Sequence, residues 1–261
     1  MGARGRAGRH TRGSAILELM IAASRTSTES HGHQHRDVSG GWLRPSVFGA
    51  MDGLVTNVSL ISGVAAGGAP HQVIVLTGLA GLAAGAFSMA AGEYISVTSQ
   101  NELVHAEVSK ERYELENHPE AERRELAQVF RGQGVDAELA DRVARQVSED
   151  TEQALRLHVR EELGVDHHKL PSPVVAGVAS LVTFAGGALI PLLPYLVNLS
   201  SRLALPVALV LAAIAAFVGG GWVARLTSRP FLRGAVRQLL LAGMAAGLTY
   251  LIGSAIGIAV R

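Results

Sequence analysis

The sequence predicts an all-α membrane protein, with five transmembrane helices and a three-helix cytoplasmic lobe inserted between the second and third. Three observations carry this expectation. Five apolar stretches reach the roughly 20 residues that a helix needs to cross the hydrocarbon core. Residues 174–261 contain no Asp or Glu. Residues 99–172 instead hold 17 acids against 10 Lys and Arg, a formal charge of −7, and are too polar to span. The overall charge of +1 and mean hydropathy of +0.27 over 261 residues conceal this partition. Four divisions follow: a disordered cytoplasmic arm over 1–45, two spans over 46–98, an acidic helical lobe over 99–172 and three spans over 173–261.

The arm is rich in Arg, Gly, Ser and His, a composition that does not build a core. Its apolar stretch, Ser14 to Ser24, is short and interrupted by Glu18. It reads as a loose amphipathic segment or an upstream start extension rather than a signal peptide. His31, His33 and His35 could bind a transition metal weakly, or form part of a solvated tail. The predicted spans are Val47 to Ala66, Val73 to Val97, Val174 to Val197, Leu203 to Ala224 and Ala235 to Val260. Glycines four apart recur in them: Gly49/Gly53, Gly63/Gly67, Gly81/Gly85, Gly243/Gly247 and Gly253/Gly257. Such pairs let helices approach closely in lipid, although Gly is frequent throughout this chain.

The second span runs on without a breaker through Gln100 to Glu116. Asn117-His118-Pro119 stops it, because proline disfavours helix in the residue before it. Pro119 can open the next helix, with Glu120 and Glu122 in its first turn. That helix is expected to end around Gly132 and Gly134. Asp136 then caps a long third helix that carries Leu139, Val143, Val147, Leu155 and Val159, and Gly164 terminates it.

Orientation follows from Lys and Arg. The arm has seven Arg, the first outer link (Gly67 to Gln72) has none, and the 99–172 segment has ten Lys and Arg. The next link has only Arg202; the last holds Arg225, Arg229, Arg233 and Arg237. N-terminus and acidic lobe are therefore expected inside and the C-terminus outside. Lysine occurs only at Lys110 and Lys169, which suggests a GC-rich bacterium and so its plasma membrane.

The chain has no Cys, so any metal site must use O, N or thioether ligands. Glu107, Glu111 and Glu114 share one helix face. Glu122 and Glu125 are three apart, and Glu161 and Glu162 follow His158 by about a turn. Converging carboxylates repel, and a divalent cation relieves the repulsion; imidazole biases such a site toward transition metals. The same spacing suits a solvated face with ion pairs from Arg112, Arg123 and Arg124. Two further acids lie within spans. Asp52 has apolar helix on both sides, and a carboxylate there costs roughly 2.5–3.5 kcal/mol on insertion scales. Glu93 stands near a span end, where an interfacial position is equally consistent.

Met51-Asp52-Gly53-Leu54-Val55, Ala80 to Tyr94 (with Ser88, Met89 and Glu93) and Gly186 to Pro194 resemble the vacuolar iron transporter family, on its bacterial or nodulin-like branch. The resemblance covers Trp42 to the C-terminus. It implies export of Fe(II) or Mn(II) from the cytosol, driven by proton exchange, by a homodimer with its pore at the subunit interface. It assigns Asp52 and Met89 to the membrane path. It assigns Glu111, Glu114, Glu122, Glu125 and Glu162 to metal binding in the lobe. Glu93, Asn57 and Ser88 are further candidates for the path. This chain departs from the family in two places. Plant and parasite iron-transporting members have a glutamate at the position of Gly81. The family's paired methionines fall at His158 and Val159, so His158 is a candidate ligand and manganese is well placed.

No resident cofactor is expected: Fe(II) or Mn(II) would be both cargo and lobe-bound ion. The alternative function is a membrane-anchored metal sensor or storage partner that binds metal without transport. An anchor, however, has no use for Asp52. An enzyme is not expected, because Ser59, Ser62 and Ser88 have no histidine within the spans. Nucleic acid is not an expected partner of so acidic a lobe.

Overall fold

The computed structural model describes residues 41–259. Among these there are eight helices and no strand. They are α1 (Leu43–Ala66), α2 (His71–Asn117), α3 (Pro119–Gly132), α4 (Ala137–Val147), α5 (Thr151–Leu163), α6 (Pro173–Leu196), α7 (Ser201–Leu226) and α8 (Phe231–Ala259). Five of them, α1, α2, α6, α7 and α8, are long and apolar enough to cross a membrane. The readings of Ser14 to Ser24 and of His31, His33 and His35 fall outside the described residues.

α1 begins earlier than the first predicted span, and residues 43–45 of the expected arm are helical. Pro45 does not prevent this, because first-turn amides have no intrahelical acceptor to lose. α2 is a single helix of 47 residues, or about 70 Å at 1.5 Å per residue. Its apolar half matches the predicted second span, and its polar half continues past Val97 for about 30 Å. It stops at Asn117, and Pro119 opens α3, as the proline rules require.

The long third lobe helix is a correction. It is two helices, α4 and α5, broken at 148–150. Asp136 caps α4 by accepting from the Glu138 amide, as expected. Asp150 caps α5 by accepting from the Glu152 and Gln153 amides. Ser148 turns its hydroxyl back to the Ala144 carbonyl at the end of α4. Three short helices therefore follow the α2 extension, instead of two. Gly164 ends α5 with φ +67°, a left-handed conformation that suits glycine.

α1 packs against α6, α8, α2 and α7, α2 also lies along α6, and α7 pairs with α8. Glycines permit the closest approaches. A Cβ at Gly53 would run into the Phe184 carbonyl, and one at Gly253 into the Gly63 carbonyl. The Gly49/Gly53, Gly63/Gly67 and Gly253/Gly257 pairs thus lie where backbones meet. Gly243 and Gly247 meet no other helix of this chain. Three small cores result: Leu54, Val58, Ala212 and Ala216 in one, Ile61, Ile74, Leu192 and Tyr195 in another, and Ala86, Phe184 and Ala188 in a third. The outer faces are covered by large apolar side chains such as Leu76, Phe87, Ile95, Trp222, Leu240 and Leu251. Only lipid or another apolar surface satisfies so continuous an exposure.

Candidate metal centre and membrane path

The polar half of α2 is held against α5 by Leu115, Ala154, Leu155 and Val159, with Val108 at the edge. α3 and α4 pack through Leu126, Ala127 and Ala144. This packing points ligating atoms from three helices at one spot. One oxygen or nitrogen each from Glu111 (α2), Glu122 (α3), His158 and Glu162 (α5) all lie within 4.8 Å of one another. His158 Nδ1 stands 3.2 Å from Glu111 Oε1, 3.6 Å from Glu122 Oε2 and 3.4 Å from Glu162 Oε1.

His158 is 2% exposed, so the solvent-facing helix-end position is not the one it takes. It falls on the apolar stripe with Leu155 and Val159, a signal visible in the sequence. Its Nε2 is buried without a hydrogen-bond partner, and Glu111 Oε1, buried too, has the Nδ1 contact but no well-aligned hydrogen bond. Orphaned polar atoms of this kind fit a site that takes a ligand.

The arginines that could have neutralised the cluster are engaged elsewhere. Arg112 pairs with Glu152, 40 residues away. Arg123 pairs with Glu120, and Arg124 donates to the Glu120 carbonyl. Among the described residues no Lys or Arg pairs with Glu111, Glu122 or Glu162. Burial, followed by repulsion from Glu162, Glu122 and Glu125, pushes the Glu111 carboxyl up to about 7. Burial also raises Glu122, and the facing His158 opposes that rise.

Glu125 acts on both of these groups electrostatically without joining the four. Glu114 stands apart and lies 3.8 Å from His118 Nε2. Glu161 accepts from the Gln133 amide nitrogen instead. The donor set of three carboxylates and one imidazole fits a divalent transition ion and lacks the all-oxygen character of calcium sites.

The membrane residues are not gathered in this way. Asp52 is partly exposed on the open face of α1, and its closest polar partner is Thr56, whose hydroxyl donates at 3.5 Å. Met89 is half-buried beside Phe184 and Ala86. Ser88 faces outward. Asn57 is buried and donates to the Ala188 carbonyl at 2.6 Å, tying α1 to α6 one turn before Pro191. Its Oδ1 has no partner and lies on the side of Gly81, whose Cβ would meet it at 3.3 Å. Glu93 is 8% exposed, with Oε2 unpartnered, so it is buried among helices rather than set at a wet helix end.

Comparison with known proteins adds an independent line. The profile of the VIT family matches residues 43–254. The chain is similar to a vacuolar iron transporter of Acanthamoeba castellanii, with 39% identity over 199 residues, 72% of each chain. It is 34% identical over 212 residues to vacuolar iron transporter homolog 5 of Oryza sativa subsp. japonica, covering 80% of this chain and 77% of the relative. Vacuolar iron transporter 1 of the same plant is 26% identical over 241 residues, covering 91% and 95%.

Proposed function

This chain belongs to the VIT family, and from that footing we propose that it exports Fe(II) or Mn(II) from the cytosol by proton antiport through a pore at a homodimer interface. One observation carries the reading. The cluster of Glu111, Glu122, His158 and Glu162 takes Glu111 from the extension of the same helix that contributes Met89 and Glu93 to the membrane.

The lobe gathers the ion. Three carboxylates supply charge, and His158, neutral when it ligates, favours a transition ion over Mg(II) or Ca(II). Metal entry releases the proton that Glu111 holds near neutral pH, so ion and proton compete from the first step. In the span, a bare carboxylate is costly. Asp52 is best satisfied by carrying either a cation or a proton, and alternation between the two is antiport. Met89 offers a thioether to the same ion, while Glu93, Asn57 and Ser88 are stations or liners along the route. The open face of α1 carries Asp52 outward, which suits a path completed by a second copy. The arginine distribution supports a cytoplasmic N-terminus and lobe, an outer C-terminus and a bacterial plasma membrane.

The test is Mn(II) and Fe(II) flux in proteoliposomes, with and without an imposed pH gradient. Asp52→Asn keeps shape but cannot ionise. It should bind metal in the lobe and move none. Undiminished, gradient-dependent flux from this variant would overturn the carrier reading at Asp52. Metal binding without flux in the wild type would instead favour an anchored sensor.

A further inference from the structure

A groove of about 460 Å³ opens between the start of α1, the end of α7 and the start of α8. Phe48, Met51 and Val223 form apolar walls; Arg44, Arg237 and Gln238 supply the polar contacts. The volume lies within the ordinary ligand-pocket range of roughly 300–1,000 Å³. Arg44 is the second residue of α1. Arg237 lies six residues into α8, or about 9 Å along its axis, inside the stretch that reads as membrane. Among the described residues no carboxylate pairs with either arginine. Asp52 is on the same face of α1 as Phe48, one turn deeper, and does not line the groove.

An unpaired arginine within a span is costly unless its guanidinium reaches a counter-charge or the interface. An apolar groove whose lining includes two cations complements an anionic phospholipid, phosphate to the guanidinium groups and acyl chain to the apolar walls. We propose that this groove binds an anionic phospholipid of the adjoining leaflet, with its phosphate between Arg44 and Arg237 and an acyl chain against Phe48, Met51 and Val223. Basic pockets between membrane helices are a recurrent form of lipid-headgroup site. The inference rests on α1, α7 and α8 being membrane spans and does not require transport.

The experiment is native mass spectrometry of the full chain in detergent, titrated separately with phosphatidylglycerol, phosphatidylcholine and inorganic phosphate. Wild type should retain phosphatidylglycerol in preference to phosphatidylcholine and show no retained phosphate. Arg44→Gln with Arg237→Gln should weaken phosphatidylglycerol binding by about 30-fold, at about 5-fold per arginine. A charge-matched control, Arg225→Gln with Arg229→Gln, removes two span-end arginines outside the groove and should leave binding within about 2-fold. Both pairs are exposed, so folding should persist, and the melting temperature without lipid checks this. Equal loss in the two double variants would show a diffuse basic surface and overturn the site. So would unchanged binding in Arg44→Gln/Arg237→Gln, phosphate bound as well as lipid, or a lipid-free dimer in which groove residues cross-link to a second copy.

Discussion

The acids of the lobe and the acids of the membrane obey different rules. Glu111, Glu122 and Glu162 converge from three helices of a single chain around a buried imidazole, and no arginine intervenes. Asp52 and Glu93 stand alone: one shares a long contact with Thr56, and the other keeps an oxygen with no partner. The four lobe side chains thus meet within a single chain, whereas no such cluster forms around Asp52 or Glu93 among the described residues. The difference teaches that packing short helices against the end of a long one can bring carboxylates and an imidazole together. A membrane path from so few polar groups needs a cation, a proton or a second copy to make its carboxylates tolerable.

The sharpest way to break this comparison is to remove one side of it at a time. Asp52→Asn should reduce flux to the empty-liposome level while calorimetric Mn(II) binding at the lobe stays within about 2-fold. The combined Gln variant of Glu111, Glu114, Glu122, Glu125 and Glu162 should do the reverse, with Mn(II) affinity falling by at least about 100-fold. If that variant bound Mn(II) as wild type does, capture would lie elsewhere.

A pH series sharpens the lobe's side. Folded Glu111 keeps its proton up to about 7, whereas an unfolded glutamate releases it near 4.5. The folded state therefore binds more protons between these values, and metal-free stability should fall as pH rises through that window. The expected drop is on the order of 1–3 kcal/mol by denaturant titration, and saturating Mn(II) should abolish it. A rise in metal-free stability over the same window would contradict the burial and repulsion assigned to Glu111.

His158→Ala should lower the preference for Zn(II) over Mg(II) by about 10-fold, measured by competition. Unchanged preference would reduce His158 to a packing residue. The smallest effect should come from Glu114→Gln, which sits outside the four-residue cluster. Its loss of affinity should be less than that of Glu122→Gln, and the opposite order would show that the cluster rearranges around the ion.

Much of the architecture was legible because it follows from short-range rules. Apolar length marked five spans, Pro119 marked the end of α2, and Gly164 marked the end of α5. The break between α4 and α5 was also written locally, in Asp150 with Gln153 three residues on, a capping pattern that the apolar stripe from Leu139 to Val159 overshadowed. The candidate site was legible as spacing but not as geometry. Nothing local says that Arg112 will choose Glu152, 40 residues away, and so leave Glu111 without a cation. Likewise, Glu114 and Glu111 look equivalent by period, and only the position of α5 separates them. Asn57 read as a path liner because it is polar in a span. Its bond to Ala188 depends on the α1–α6 approach that Gly53 and Gly187 allow.

The unbroken length of α2 makes it a lever. From the level of Gly85 to Glu111 is 26 residues, an arm of about 39 Å, so a tilt of only about 5° in the membrane swings Glu111 through about 3 Å. Conversely, drawing Glu111 inward by about 1 Å asks for less than about 2° of tilt at the level of Met89. A joint at residues 98–100 would let the two ends move independently, and none is present. Closure of the carboxylate ring and the inclination of the membrane segment are geared to each other by a single stiff rod.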